Sequence, residues 1–196
     1  MSFLRDRYHH FLTKHLVFDD ERGEKPWWAS RTRAQLHATE HHSIAIKGWQ
    51  LPPLRIVVLA DLHVGSHSDD LARYEEIVAE VNALEPDLIA MPGDFVNMMP
   101  LGGGRVPPET IAHLLGELNA PFGVFAVLGN HDNELSAERV GGALREVGII
   151  VLENAVQEVE IENKTLTVLG LTDARSASPD YNLLKACDVV TSVQAL

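Results

Sequence analysis

Hydrophobic and polar positions divide the chain into alternating runs. "LRIVVLA" (54–60), "DLIAMPG" (87–93) and "FGVFAVLG" (122–129) are short, nearly continuous apolar stretches rich in β-branched residues. Such runs predict strands buried on both faces. Between them, "DDLARYEEIVAEVNAL" (69–84) and "ETIAHLLGELN" (109–119) carry apolar side chains at helical spacing, with Asp69 or Asp70 as N-cap of the first. "SAERVGGALREVG" (136–148) predicts a further helix, capped by Ser136 and ended by Gly148. "IIVLEN" predicts another strand, and "VQEVEIE" with "TLTVLGL" a hairpin turning at Asn163-Lys164. Strands alternating with helices predict an α/β domain.

The flanks are less regular. Residues 3–18 have helical spacing, "DDERGEKPWWAS" (19–30) is a charged linker, and "SIAIKGWQL" (43–51) alternates like a strand before Pro52-Pro53. The expected division is an N-terminal helical extension and linker over 1–42 and the main domain over 43–196. The tail from Pro179 predicts a short helix and one more strand.

Composition is that of a globular protein, with 196 residues, 45% hydrophobic and 22% charged. The formal net charge is −12, and residues 51–196 carry twenty-two acidic side chains against eight basic ones. That excludes a broad nucleic-acid-binding face, which needs clustered Lys and Arg. An anionic substrate would have to be met by local cations or a bound metal. Cys187 is the only cysteine, so neither an intrachain disulfide nor a Cys-based metal site can form. The N-terminus lacks a signal-peptide apolar region and no run approaches a membrane span, which predicts a cytoplasmic protein. The N-terminal helix and Trp27-Trp28 are expected to dock on the main domain, with weak peripheral membrane association as the alternative.

Candidate chemistry sits at the ends of the three apolar strands. "LADLHVG" supplies Asp61 and His63, "MPGDFVN" supplies Gly93, Asp94 and Asn97, and "LGNHDNE" supplies Gly129, Asn130, His131 and Asp132. Ligands of α/β sheets bind outside the carboxyl ends of the strands, so the clusters should converge. In extended chain Asp61 and His63 face the same way, while Gly93 and Gly129 allow sharp turns and close approach. Carboxylates, imidazole and amide oxygen suit divalent Mn, Fe or Zn. His67 is read as solvated, with a role at the site as the alternative. The glycines at 102–104 are read as a loop, not a phosphate cradle, because no Lys-Ser or Lys-Thr follows.

"DLH", "GDFV" and "GNHD", in this order after buried strands, resemble the calcineurin-like metallophosphoesterase family over residues 43–175. The resemblance implies an αββα sandwich holding two divalent metal ions, and hydrolysis of phosphate mono- or diesters of small molecules. It implies that Asp61 and His63 bind the first metal, that Asp94 bridges both, and that Asn130 binds the second. His131 would contact the substrate phosphate as the catalytic residue, with Asp132 orienting it. The family also has later metal-binding histidines, including a Gly-His-x-His, whereas no histidine follows His131 here. A chain truncated before those motifs is therefore expected, with an incomplete second sheet, one ion instead of two, and self-association through exposed strand edges. The alternative function is a catalytically inactive remnant or binding module that keeps the fold.

Overall fold

The computed structural model describes residues 37–67, 70–98 and 105–186. The expectations for residues 1–36, Asp69, the glycines at 102–104, Cys187 and the last strand lie outside them. Of the expected N-terminal extension, residues 37–42 are described. They carry no helix or strand and are tied to the first helix by His37 and Thr39, both hydrogen-bonded to Glu80.

The elements follow in the order β1 (Ile56–Val58), α1 (Asp70–Ala83), β2 (Leu88–Met91), α2 (Pro108–Leu115), β3 (Val124–Ala126), α3 (Asn130–Glu146), β4 (Ile150–Val151), β5 (Ala155–Ile161), β6 (Lys164–Gly170) and α4 (Asn182–Ala186). Strands β1 to β4 form one parallel sheet in simple sequential order, and β5 and β6 form a separate antiparallel pair. Crossovers of a common hand in a sequentially ordered parallel sheet all fall on one face. Accordingly α1, α2 and α3 pack together against one side, where Ile77, Ile111 and Leu144 meet Ile89 and Met91 in the main core. The hairpin covers part of the other side, where Val159, Leu166 and Val168 pack on Leu88, Phe125 and Leu152. The result is a mixed α/β fold of helices, parallel sheet and antiparallel pair.

Four expectations are corrected. The run 54–60 is not buried on both faces: β1 is an edge strand of three residues, and Ile56 and Val58 are 48% and 65% exposed. A two-stranded sheet is too narrow to cover four strands, and among the described residues β1 is the strand left bare. "SIAIKGWQL" forms no strand but an irregular segment with a turn at Lys47-Gly48. The hairpin turns one residue earlier than expected, at Glu162-Asn163, both with positive φ. A two-residue turn of that kind matches the right-handed twist of the flanking strands. Helix α3 begins at Asn130, six residues before the expected start. Its backbone is extended at Ser136, so the element is a short N-terminal turn joined to a longer helix. Ser136 still caps the longer part, its Oγ accepting from the Arg139 N–H at 3.2 Å.

Candidate metal centre

Parallel pairing delivers three loops to one place. Beyond the strand ends the loop after β1 continues to pair with the loop after β2: the His63 N–H donates to Asp94 O at 2.8 Å and the Val64 N–H to Phe95 O at 2.9 Å. Gly93 has φ of +102°, and a side chain there would strike the backbone of Gly129. A side chain at Gly129 would in turn strike the Asp94 carboxylate. The two glycines are what let the loops after β2 and β3 come this close.

Asp61, His63 and Asp94 each offer a ligand atom, all within 4.8 Å of one another. Among the described residues this is the one such group of three. Their backbones share an unusual feature, with φ of 52°, 41° and 58°. Non-glycine residues in this left-handed region are uncommon and cost about 1–3 kcal/mol each when strained, and they cluster at functional sites. The Asp94 carboxylate is used on both sides. Oδ1 accepts from the His131 backbone N–H at 3.0 Å, and Oδ2 lies 3.9 Å from His63 Nε2. The buried Nδ1 of His63 has no protein partner among the described residues. Two carboxylates and an imidazole with an unsatisfied nitrogen fit a divalent cation.

His131 stands beside this group, its ring edge-on to His63 with centroids 4.7 Å apart. Its Nδ1 accepts from the Met98 N–H at 3.2 Å, which fixes the neutral tautomer with its hydrogen on Nε2. Burial, and then the neighbouring His63, push its pKa below the usual imidazole range against the pull of Asp94, Glu134 and Asp132. Because the chain is already helical at Asn130, Asn130 and His131 diverge by a helical step and not by the alternation of a strand.

Asp132 bonds to backbone. It is fully buried, and its carboxylate accepts four backbone N–H groups, from Gly129, Asp94, Phe95 and Val96 at 2.8–3.1 Å. None of these bonds goes to the His131 imidazole. It staples the start of α3 to the loop that carries Asp94. Burial pushes its pKa up, and the four N–H groups pull it down.

The remaining sequence candidates are placed as follows. Asn97 is buried in the loop after β2. His67 is half-buried, and its Nδ1 lies 2.9 Å from Ser66 Oγ. Asn130 lies at the start of α3, where its Oδ1 accepts from Arg175 Nη1 at 3.4 Å. Sequence reading passed over Arg175, which sits in a loop with no motif. It also passed over Tyr74 of α1, and it offered Asp70 only as a helix cap. Asp70 accepts from the Gly65 and His67 N–H groups at 3.1 and 2.9 Å, and the Tyr74 hydroxyl donates to Leu62 O, so both hold the loop that bears His63.

Comparison with known proteins agrees with this geometry. Residues 54–186 match the family described as calcineurin-like phosphoesterase. The chain is 38% identical over 91 residues to the UDP-2,3-diacylglucosamine pyrophosphatase LpxG of Chlamydia trachomatis, covering 43% of this chain and 26% of that protein. It is 28% identical over 158 residues to the uncharacterized metallophosphoesterase YkuE of Bacillus subtilis, covering 74% of this chain and 51% of the relative. It is 30% identical over 130 residues to an uncharacterized metallophosphoesterase of Aquifex aeolicus, covering 66% and 46%. The chain thus spans about half or less of the length of these relatives. No helix among the described residues is long and apolar enough to cross a membrane.

Proposed function

The chain belongs to the calcineurin-like phosphoesterase family, and from that premise we propose that it hydrolyses a phosphate mono- or diester in a reaction that depends on divalent metal. The observation that carries this reading is the convergence of Asp61, His63 and Asp94, three ligand atoms within 4.8 Å. These residues would hold one ion, and Asp94 with Asn130 would face a second. Bound there, divalent metal supplies the Lewis acidity that phosphoester hydrolysis needs.

The chain's own residues supply the rest. Asp94 fixes the spacing, because one oxygen is held by the His131 N–H and the other is turned to His63. His131, kept neutral with its proton on Nε2, is a hydrogen-bond donor for an oxygen of the reacting phosphate; a positioned donor of this kind contributes about 10²–10³-fold in rate. Asp132 acts through the backbone, holding Asp94 and Gly129 in register.

The test is hydrolysis of p-nitrophenyl phosphate and bis(p-nitrophenyl) phosphate with added Mn²⁺. Turnover is expected with metal, is lost in EDTA, and falls by two or more orders of magnitude in His131→Ala with little change in metal content. Turnover that persists in EDTA would contradict the reading. A second reading, a metal- or phosphate-binding module without turnover, is favoured by one fact. Among the described residues a single three-ligand group is present, with one imidazole. Metal binding without hydrolysis of either ester would select it.

A further inference from the structure

We propose that Arg175 is a substrate-binding residue whose guanidinium takes the non-bridging oxygens of the phosphate group at this site. The inference rests on the phosphoesterase reading and adds a residue to it.

Arg175 belongs to the loop that follows β6, distant in sequence from the three strand-end clusters. Two side chains hold that loop in shape. Asp173 Oδ2 accepts from the backbone N–H groups of Arg175 and Ser176 at 3.2 and 2.9 Å and from Ser176 Oγ at 2.8 Å. From the other side Asn154, itself at φ of 49°, donates to Ser178 O and accepts from the Thr172 and Asp180 N–H groups. Thus braced, the loop carries the Arg175 guanidinium to Asn130, with Nη1 3.4 Å from Asn130 Oδ1. Asn130 directly precedes His131, whose backbone N–H donates to Asp94 Oδ1 at 3.0 Å.

A polar cleft opens there, walled by Asn130, Asn133, Glu134, Arg175 and Ser176. Arg175 is the only cation among these lining residues, and Glu134 is the anion. The need for a cation is physical. The molecule carries a net charge of −12, Glu134 lines the cleft, and the Asp94 carboxylate accepts from the backbone N–H of His131, the neighbour of Asn130. A phosphate entering this field is repelled unless positive charge meets it. A guanidinium presents two parallel N–H donors that match two phosphate oxygens, which an ammonium or an amide does not. The bond to Asn130 is long for a neutral acceptor, so an anionic one would compete for the same donors on favourable terms.

The experiment is calorimetric binding of inorganic phosphate to the Mn²⁺-saturated chain, with the metal content of each protein measured alongside. Arg175→Ala is expected to weaken phosphate binding by about tenfold or more, the worth of a charged hydrogen bond, with Mn²⁺ content unchanged. Arg175→Lys is expected to recover part of the loss, since it keeps the charge without the paired donors. Phosphate affinity within twofold of the unsubstituted chain in Arg175→Ala would overturn the proposal. So would an equal loss of Mn²⁺ in that variant, which would make Arg175 a support for Asn130 only. If the unsubstituted chain takes up no Mn²⁺, the phosphoesterase reading fails and this inference with it. If the unsubstituted chain binds both ligands and Arg175→Ala does too, the inference alone fails.

Discussion

At the scale of single residues, the centre depends on side chains that bond to backbone. Asp132 is the clearest case, since its carboxylate is the partner of four N–H groups from two loops. Asp132→Ala strands those donors in a site that is closed to water. The expected cost is about 3–5 kcal/mol, because each lost charged bond is worth about 1.5–3 kcal/mol and local relaxation recovers part. Metal affinity should fall as well, since the register between Asp94 and Gly129 goes with it. Denaturant unfolding of the variant checks this. A cost under 1 kcal/mol with metal uptake retained would show that the staple is redundant. The residue types of the site were legible in the sequence: Asp61, His63 and Asp94 come together as their strand-end positions imply. The use made of Asp132 was not. Three of the N–H groups that donate to it lie 36–38 residues away in another loop, and no local pattern records a bond between a side chain and a distant backbone. Arg175 was hidden for a related reason, because its loop is defined by the turns of Asp173 and Asn154 and not by periodicity.

At the scale of elements, α1 is a support for the loop that bears His63 as much as a layer of the core. Asp70 holds residues 65–67 and Tyr74 holds Leu62, while Arg73 lies over the Tyr74 ring at 4.5 Å and 3.5 Å from Asp70 Oδ1. Burial pushes the Tyr74 hydroxyl up to about 12. The ordinary phenol value is about 10, so above it the unfolded chain loses a proton that the folded chain keeps. Stability from this group is therefore complete below pH 10 and lost as pH rises toward 12. Tyr74→Phe should lower stability by about 1 kcal/mol at neutral pH, through the lost bond to Leu62 O, and should flatten the alkaline decline. Melting curves of both proteins across this range provide the check, and parallel declines would contradict it. The elements themselves were largely legible. The helices α1 and α2, the parallel strands and the hairpin all follow from apolar period. The misreadings share a cause, which is that period does not report what lies opposite. The apolar run around β1 was expected to be buried, yet among the described residues nothing wide enough covers it, and the first turn of α3 was hidden because "GNHDNEL" is polar where a helix usually shows an apolar face.

At the scale of the whole molecule, the helix-covered side and the hairpin-covered side differ. The first is a closed core. On the second an apolar cleft of about 860 Å³ runs between the parallel sheet and the hairpin, with Trp49, Val58, Phe125, Leu166 and Val168 among its walls. Bare apolar strands are where association begins, so self-association of this chain would act through that face. The candidate centre lies at the strand ends and is built by the loops and by α1 and α3, so it does not draw on the hairpin except through the loop after β6. Its central claim is that Asp61, His63 and Asp94 form a metal centre. The most direct measurement is the Mn²⁺ content of the purified chain after equilibration and desalting, compared with Asp94→Ala and His113→Ala. The account predicts about one tightly held ion per chain, lost in Asp94→Ala and kept in His113→Ala, whose side chain belongs to α2 and to no part of the site. No ion in the unsubstituted chain, or an ion retained in Asp94→Ala, would contradict it.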